Sequence, residues 1–227
     1  MERRNLMKIY DDDIGEVILI DSMGEDATPA HAARVSFAHL SQERSEDVSE
    51  KDEKLIRYLA TNGHTSPFEH ISASFELTVP LFVARQIMRH RTFSFNEISR
   101  RYTSKDISVY HPISIKQQAV DNLQCSSNLD VQDSVYCEKL IEGAASTALA
   151  IYNELIKRGV ARETARSVLP VATYTSFWMS GNLHNWVKFI KLRVSPHAQL
   201  ETRLAAEAIR VQLLERYPVS MSALTNE

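Results

Sequence analysis

The run Arg89-His90-Arg91-Thr92-Phe93-Ser94-Phe95-Asn96-Glu97-Ile98-Ser99-Arg100-Arg101-Tyr102 gathers the residues best equipped for chemistry in this chain. Its guanidinium groups crowd together in a protein whose formal net charge is only -3. Like charges a few ångströms apart repel by roughly 1 kcal/mol even in water, and by more where solvent is excluded. Such a crowd is tolerated where anions come to it. Ser94, Asn96, Glu97 and Ser99 interleave neutral and acidic hydrogen-bonding groups, which a patch that only neutralises phosphate would not need. The pattern predicts a pocket for a shaped, charged small molecule.

Hydrophobic spacing places the elements that hold this run. Ile71, Ala73, Phe75, Leu77 and Val79 alternate with mostly polar neighbours, the period of a strand with one face on the core. Pro80 ends that strand and opens a helix expected from Leu81 to about Arg91. On such a helix Arg85 and Arg89 are four apart, as are Gln86 and His90, while Gln86 and Arg89 can reach one ligand together. A helix C-terminus favours nearby cations, which softens their repulsion. The rest of the run reads as a loop whose backbone amides are open to a ligand.

The flanking chain is expected to supply a short buried strand from Glu16 to Asp21 and a short helix capped by Thr28 and opened by Pro29. Another helix runs from near Ser49 to Gly63, with Leu55, Ile56 and Leu59 on one face. Residues 104 to 130 carry little pattern, and Ser126-Ser127-Asn128 reads as a loop. A long amphipathic helix follows from about Asp130 to Lys157, with Val135, Leu140, Ile141, Ala148 and Tyr152 among its apolar side. Arg162 and Arg166 share a short helix closed by Pro170, Val171 to Met179 suits a strand, and helices are expected over Asn182 to Arg193 and from about Ala198 to Arg216. Two or three strands with six or so helices describe an α+β domain.

With 227 residues the chain can bury a sizeable core as one domain spanning 1–227, the order of residues 1–14 and 218–227 being left open. No apolar run approaches a membrane span, Met1 to Asn5 lacks the apolar region of a signal peptide, and there are only two cysteines, Cys125 and Cys137; a cytoplasmic protein is expected. The basic residues are concentrated rather than spread over a face, which argues against a dedicated nucleic-acid binder. Acids at Asp11 to Asp13 and from Glu43 to Glu53 read as solvated surface. None of the six glycines builds a phosphate loop, and no paired-cysteine or His-Glu-x-x-His metal signature occurs. If a nucleotide binds, side chains must do what glycine loops do elsewhere.

At these residues the chain resembles the flavin-dependent thymidylate synthases. Their signature, Arg-His-Arg, seven residues, then Ser, stands here as Arg89-His90-Arg91, Thr92 to Ile98, Ser99. Ser94, Asn96-Glu97, Arg101 and Tyr102 also fall at family spacing, and similar segments are Gly63-His64-Thr65-Ser66-Pro67-Phe68-Glu69-His70, Phe82-Val83-Ala84-Arg85-Gln86 and Ala165-Arg166-Ser167-Val168-Leu169-Pro170. The resemblance implies a single α+β domain with a central, mostly antiparallel sheet and packed helices. It also implies assembly as a homotetramer whose active sites are shared between subunits. The implied reaction is reductive methylation of dUMP to dTMP, with methylenetetrahydrofolate supplying the carbon, FAD carrying the hydride and NADPH reducing the flavin.

Carried over by position, Gln86, Arg89, Glu97, Ser99, Arg101, Arg166 and Arg193 would hold dUMP, and Arg193 would act catalytically by polarising the uracil so that carbon 5 becomes nucleophilic. Ser66, Arg89, His90, Arg91, Glu97, Asn182, His184 and Lys188 would hold FAD. Family members commonly carry arginine where His184 stands and asparagine or histidine where Lys188 stands; both residues here still donate hydrogen bonds. Neither a cysteine nucleophile nor a metal is implied.

Plainer roles stand beside these. Arg89, Arg91 and Arg101 could form a salt-bridge network with Glu97, and Arg85 and Arg162 read as surface or interface partners. Trp178, Trp186 and Phe189 read as core, the two cysteines as small buried hydrophobes, and His64 as a turn residue or a wall of the flavin pocket. Ser99 reads as an anchor, since no base is placed to take its proton. The arginine cluster alone would also suit a non-catalytic nucleotide- or RNA-binding protein.

Overall fold

The computed structural model describes residues 6–37 and 47–226. Five strands form one sheet: β1 (Leu6–Lys8), β2 (Glu16–Met23), β3 (Ser72–Pro80), β4 (Ser94–Glu97) and β7 (Tyr174–Asn182), in the order β1-β2-β3-β7-β4. Every neighbouring pair is antiparallel. A separate hairpin joins β5 (Lys116–Gln118) to β6 (Ser126–Asp130). The helices are α1 (Thr28–Arg34), α2 (Glu50–Thr61), α3 (Leu81–Ile87), α4 (Ser134–Lys157), α5 (Arg162–Ala165), α6 (Leu183–Arg193), α7 (Leu200–Arg216) and α8 (Pro218–Thr225). The chain is a single α+β domain on a central antiparallel sheet.

The period of two in β3 buries Ala73, Phe75, Leu77 and Val79 under the helices, and Trp186 of α6 meets Phe75 edge-on at 4.9 Å. The other sheet face stays half-exposed and polar: Ser74 and Ser180 share a 2.7 Å hydroxyl bond, and Trp178 donates to Glu76. Trp178 is therefore not core, unlike Trp186 and Phe189, because it stands on the solvent side of β7. Between Leu19 and Asp21 the β2 register shifts, and buried Gln212 of α7 repairs the ladder by accepting from the Leu19 N–H at 3.0 Å. An unpaired buried amide would cost about 1–3 kcal/mol.

Expected boundaries moved where tertiary pairing outweighed local signals. Ala27, not Thr28, is the N-cap of α1, and the Thr28 hydroxyl instead accepts from the Glu25 N–H. Ser49 caps α2 through a reciprocal pair with Asp52. The helix expected to reach Arg91 ends at Ile87, because the chain must reverse to pair β4 with β7. Phe93 anchors that reversal: its ring lies where a Cβ on Gly181 would stand, so only glycine fits there. Residues 126–128 belong to β6 rather than a loop, so α4 starts at Ser134. The strand expected from Val171 runs from Tyr174 to Asn182 instead. Both ends of the described chain are built into the fold, with Ile9, Tyr10, Ser220 and Met221 buried. Of the acidic run from Glu43, residues 43–46 lie outside the described residues, and Asp52 is buried against Arg34 rather than solvated.

Only Ala145 and Tyr152 of α4 are buried. Much of the expected apolar side lies open instead, with Val135 62% and Leu140 55% exposed, and Ile151 beside it is 46% exposed.

Candidate active site

β4 and β7 carry one half of the site. Glu97 ends β4, and its Oε1 accepts from the Thr175 hydroxyl at 2.7 Å, so among the described residues it pairs with no arginine. Ser99 follows and forms a tight turn: its carbonyl accepts from Tyr102 N–H at 2.9 Å and its hydroxyl from Arg101 N–H at 3.3 Å. Arg100 clamps the turn. Its guanidinium donates to the carbonyls of Lys105 at 2.6 Å, Asp106 at 3.3 Å and Tyr174 at 3.4 Å. Glu97, Ser99 and Arg166 then open onto one cleft of about 290 Å³, together with Arg85, Arg100 and Thr173. Arg85 and Thr173 were not expected in the site, and Arg100, within the predicted run, was given no role of its own.

The other half hangs on α3 and α6. Arg193, the last residue of α6, donates from Nε to Nε2 of His90 at 3.0 Å and from NH2 to the carbonyl of Gln86 at 2.9 Å. Gln86 is fixed in turn, donating to Gln199 Oε1 at 2.5 Å and accepting from the Thr202 hydroxyl at 3.2 Å. The His90 ring stands edge-on to Phe189 at 4.9 Å. Burial first, then the Arg193 charge, holds the His90 pKa below the usual imidazole value. Burial likewise lowers the Arg193 pKa, but a guanidinium stays charged at any working pH.

Arg89 and Arg91 flank His90 on exposed backbone past the helix end. Among the described residues neither they nor Arg85 nor Arg166 has a hydrogen-bond or acidic partner, so the salt-bridge network with Glu97 does not form. Of this cluster Arg101 alone touches an acid, Glu163 at 3.4 Å, with both groups more than half exposed. Such pairs contribute about 0–1 kcal/mol. The crowd is left uncompensated.

Of the residues carried over to flavin, Asn182, His184 and Lys188 lie along α6 and its N-cap, and Ser66 lies in the turn beside it. Asn182 caps α6, its side-chain oxygen accepting from the Asn185 N–H at 2.9 Å, which leaves its amide N–H groups for a ligand. His184 and Lys188 follow four apart on that helix. Burial, then Lys188, lowers the His184 pKa, while Glu69 pulls it up. Glu69 belongs to the Ser66–His70 turn, which brings exposed Ser66 to the same neighbourhood. Asn185 ties the two regions by donating to the Thr92 carbonyl at 3.3 Å. His64 is exposed, its backbone N–H closing α2 onto Leu59.

The missed residues carried weak signals. Arg85 sits one helical turn before Arg89, and Thr173 lies in a run read only as strand. Cys125, half-buried, donates its thiol to the His197 carbonyl at 3.3 Å, and Cys137 is also only half-buried, so neither is core. Among the described residues, no group of three or more His, Cys, Asp or Glu is placed to hold a metal, and no helix is long and apolar enough to cross a membrane.

Comparison with known proteins gives this geometry its lineage. The family model described as thymidylate synthase complementing protein matches residues 18–219. A flavin-dependent thymidylate synthase of Thermus thermophilus is 41% identical over 211 residues, covering 93% of this chain and 76% of the relative. One from Thermosipho africanus is 39% identical over 214 residues, covering 93% of this chain and 91% of the relative. Among solved structures, the UMP/dUMP methylase PolB of Streptomyces cacaoi bound with 5-Br dUMP superimposes with a TM-score of 0.83 at 32% identity, covering 92% of this chain and 94% of its own. Sequence and fold agree that the chain belongs to the flavin-dependent thymidylate synthase family.

Proposed function

We propose that this enzyme methylates dUMP to dTMP, with FAD as its flavin, methylenetetrahydrofolate as carbon donor and NADPH as reductant. The observation that carries the proposal is the unpaired state of Arg85 and Arg166 in a cleft whose single carboxylate is already engaged by Thr175, with Arg89 and Arg91 equally unpaired. Forked guanidinium groups left free in this way suit the phosphate and carbonyl oxygens of a nucleotide.

Arg193 holds the catalytic role. Its two bonds to His90 and the Gln86 carbonyl leave the NH1 donors free and fix their direction. A fixed cation beside the uracil favours the ionised ring and raises electron density at carbon 5, a stabilisation that can supply several kcal/mol. Gln86, Arg89, Glu97, Ser99, Arg101 and Arg166 bind and orient the nucleotide. Ser99 anchors it.

The residues around α6 fit FAD. Unpaired Arg89, Arg91 and Lys188 suit a pyrophosphate, and the free amide of Asn182 and the neutral ring of His184 supply neutral hydrogen bonds, with Ser66, His90 and Glu97 completing the set. When bound, FAD supplies hydride transfer; the chain's own part is to orient, polarise and exclude water.

Dispersal of the site supports a homotetramer with shared active sites. A cleft of about 290 Å³ is at the lower limit for a single ligand, since ligand pockets span about 300–1,000 Å³. The bare side of α4 gives a second copy an apolar surface to cover. A cytoplasmic setting suits the free cysteines.

An anaerobic assay of dTMP formation from dUMP, methylenetetrahydrofolate, FAD and NADPH tests this reading. The purified protein should be yellow and bleach on adding NADPH. A protein that takes up FAD yet makes no dTMP would overturn the proposed reaction.

A further inference from the structure

We propose that Arg85 and Thr173 belong to the nucleotide site as further donors to the phosphate, alongside Arg166 and Ser99. The inference rests on the cleft being the dUMP pocket, and it assigns one end of that pocket to the phosphate.

Thr173 supplies the first observation. It is 1% exposed, lines the cleft, and its Oγ1 has no hydrogen-bond partner. The backbone around it is held firmly: its N–H donates to the Pro170 carbonyl at 2.9 Å and its carbonyl accepts from the Leu81 N–H at 2.9 Å. The hydroxyl is therefore presented at a fixed place, and leaving it unpaired is unfavourable. A ligand oxygen would relieve that. Its neighbour Thr175 shows the contrast, because its hydroxyl is already given to Glu97.

Arg85 supplies the second. It leaves the last turn of α3 and lines the same cleft, and among the described residues no acid or carbonyl holds its guanidinium. The Leu81 bond to Thr173 ties the start of α3 to the cleft floor, so Arg85 is carried on an element anchored to that floor. Arg100, also lining the cleft, gives NH1 and NH2 to three carbonyls, while its buried Nε has no hydrogen-bond partner among the described residues. The cleft thus holds three guanidinium groups against one engaged carboxylate. A phosphate monoester, with about two negative charges near neutral pH and three acceptor oxygens, matches that surplus better than an uncharged uracil does.

The test is calorimetric titration of dUMP and of deoxyuridine into the FAD-loaded enzyme, as wild type, Arg85→Gln, Arg85→Lys, Thr173→Val and Thr173→Ser. Arg85→Gln is expected to weaken dUMP by at least about tenfold and leave deoxyuridine unchanged, with flavin content and absorbance as in wild type. Arg85→Lys should restore part of the loss, and Thr173→Ser should restore what Thr173→Val removes. Equal weakening of both ligands, or dUMP affinity unchanged in Arg85→Gln and Thr173→Val, would overturn the assignment. If wild type binds no dUMP, the reading of the cleft itself fails and the assignment falls with it.

Discussion

Arg193 donates from Nε to Nε2 of His90 at 3.0 Å, and this bond settles the protonation of both side chains. His90 accepts at Nε2, so its proton sits on Nδ1 and the ring is neutral; the arginine keeps its charge and a fixed direction. Loss of His90 leaves Arg193 with only its bond to the Gln86 carbonyl, and loss of Arg193 leaves the His90 ring without a hydrogen-bond partner among the described residues. Three predictions concern this pair and its surroundings, and one concerns the bare helix.

Arg193→Lys keeps the cation and loses the fork. Methyl transfer is expected to fall at least about tenfold, corresponding to roughly 1.4 kcal/mol of barrier, with flavin still bound. Turnover at saturating dUMP is the measurement, and an unchanged value would remove Arg193 from the catalytic role.

His90 and His184 both have pKa values lowered by burial, with Arg193 and Lys188 adding to the effect. An unfolded imidazole takes its proton near about pH 6.5, whereas these folded ones resist until the pH is lower. Their stabilising contribution is therefore complete above that value and is lost as the pH falls through it towards the folded-state values. Urea unfolding compared between neutral and mildly acidic buffer, on either side of about pH 6.5, should show the drop. His90→Gln, which can still accept from Arg193 but does not titrate, should make it smaller. An equal drop in the variant would place the acid sensitivity elsewhere.

Gly181→Ala would drive a Cβ into the ring of Phe93. Overpacking of this kind costs typically about 1–3 kcal/mol, so the melting temperature should fall by several degrees. Because Phe93 sits between the Arg-His-Arg turn and β4, dUMP affinity should fall as well. Combining the change with Phe93→Leu should recover part of the stability; no recovery would mean that the ring is not the obstacle.

Leu140→Glu with Ile151→Glu places charges on the open side of α4, where both residues are about half exposed. Surface changes on a monomer usually alter stability by about 0.5 kcal/mol or less. Sedimentation should nevertheless show the proposed homotetramer breaking into smaller species, with activity lost at the same protein concentrations. An intact assembly would move the subunit contact to another face.

Much of the architecture could be read ahead of the structure where one local pattern decided the outcome. Alternation in 71–79 marked β3, the apolar face beginning near Ser49 marked α2, and Gly63 marked its end. Reading failed where distant segments set the outcome. Residues 94–97 look like a polar loop until β7 lies beside them, and the hairpin strands at 116–118 and 126–130 are defined by each other.

For the site, residue types and spacing alone marked the Arg-His-Arg run and its serine, because crowded guanidinium groups require an anion whatever the fold. Only the folded chain could show that Arg193 leans on His90 across 103 positions of sequence, that Arg100 clamps the Ser99 turn, or that Arg85 and Thr173 face one cleft. Charge repulsion acts between neighbours in the chain and is visible in its letters. Hydrogen-bond partnership between distant residues depends on where the sheet and helices bring them, and no local rule contains it.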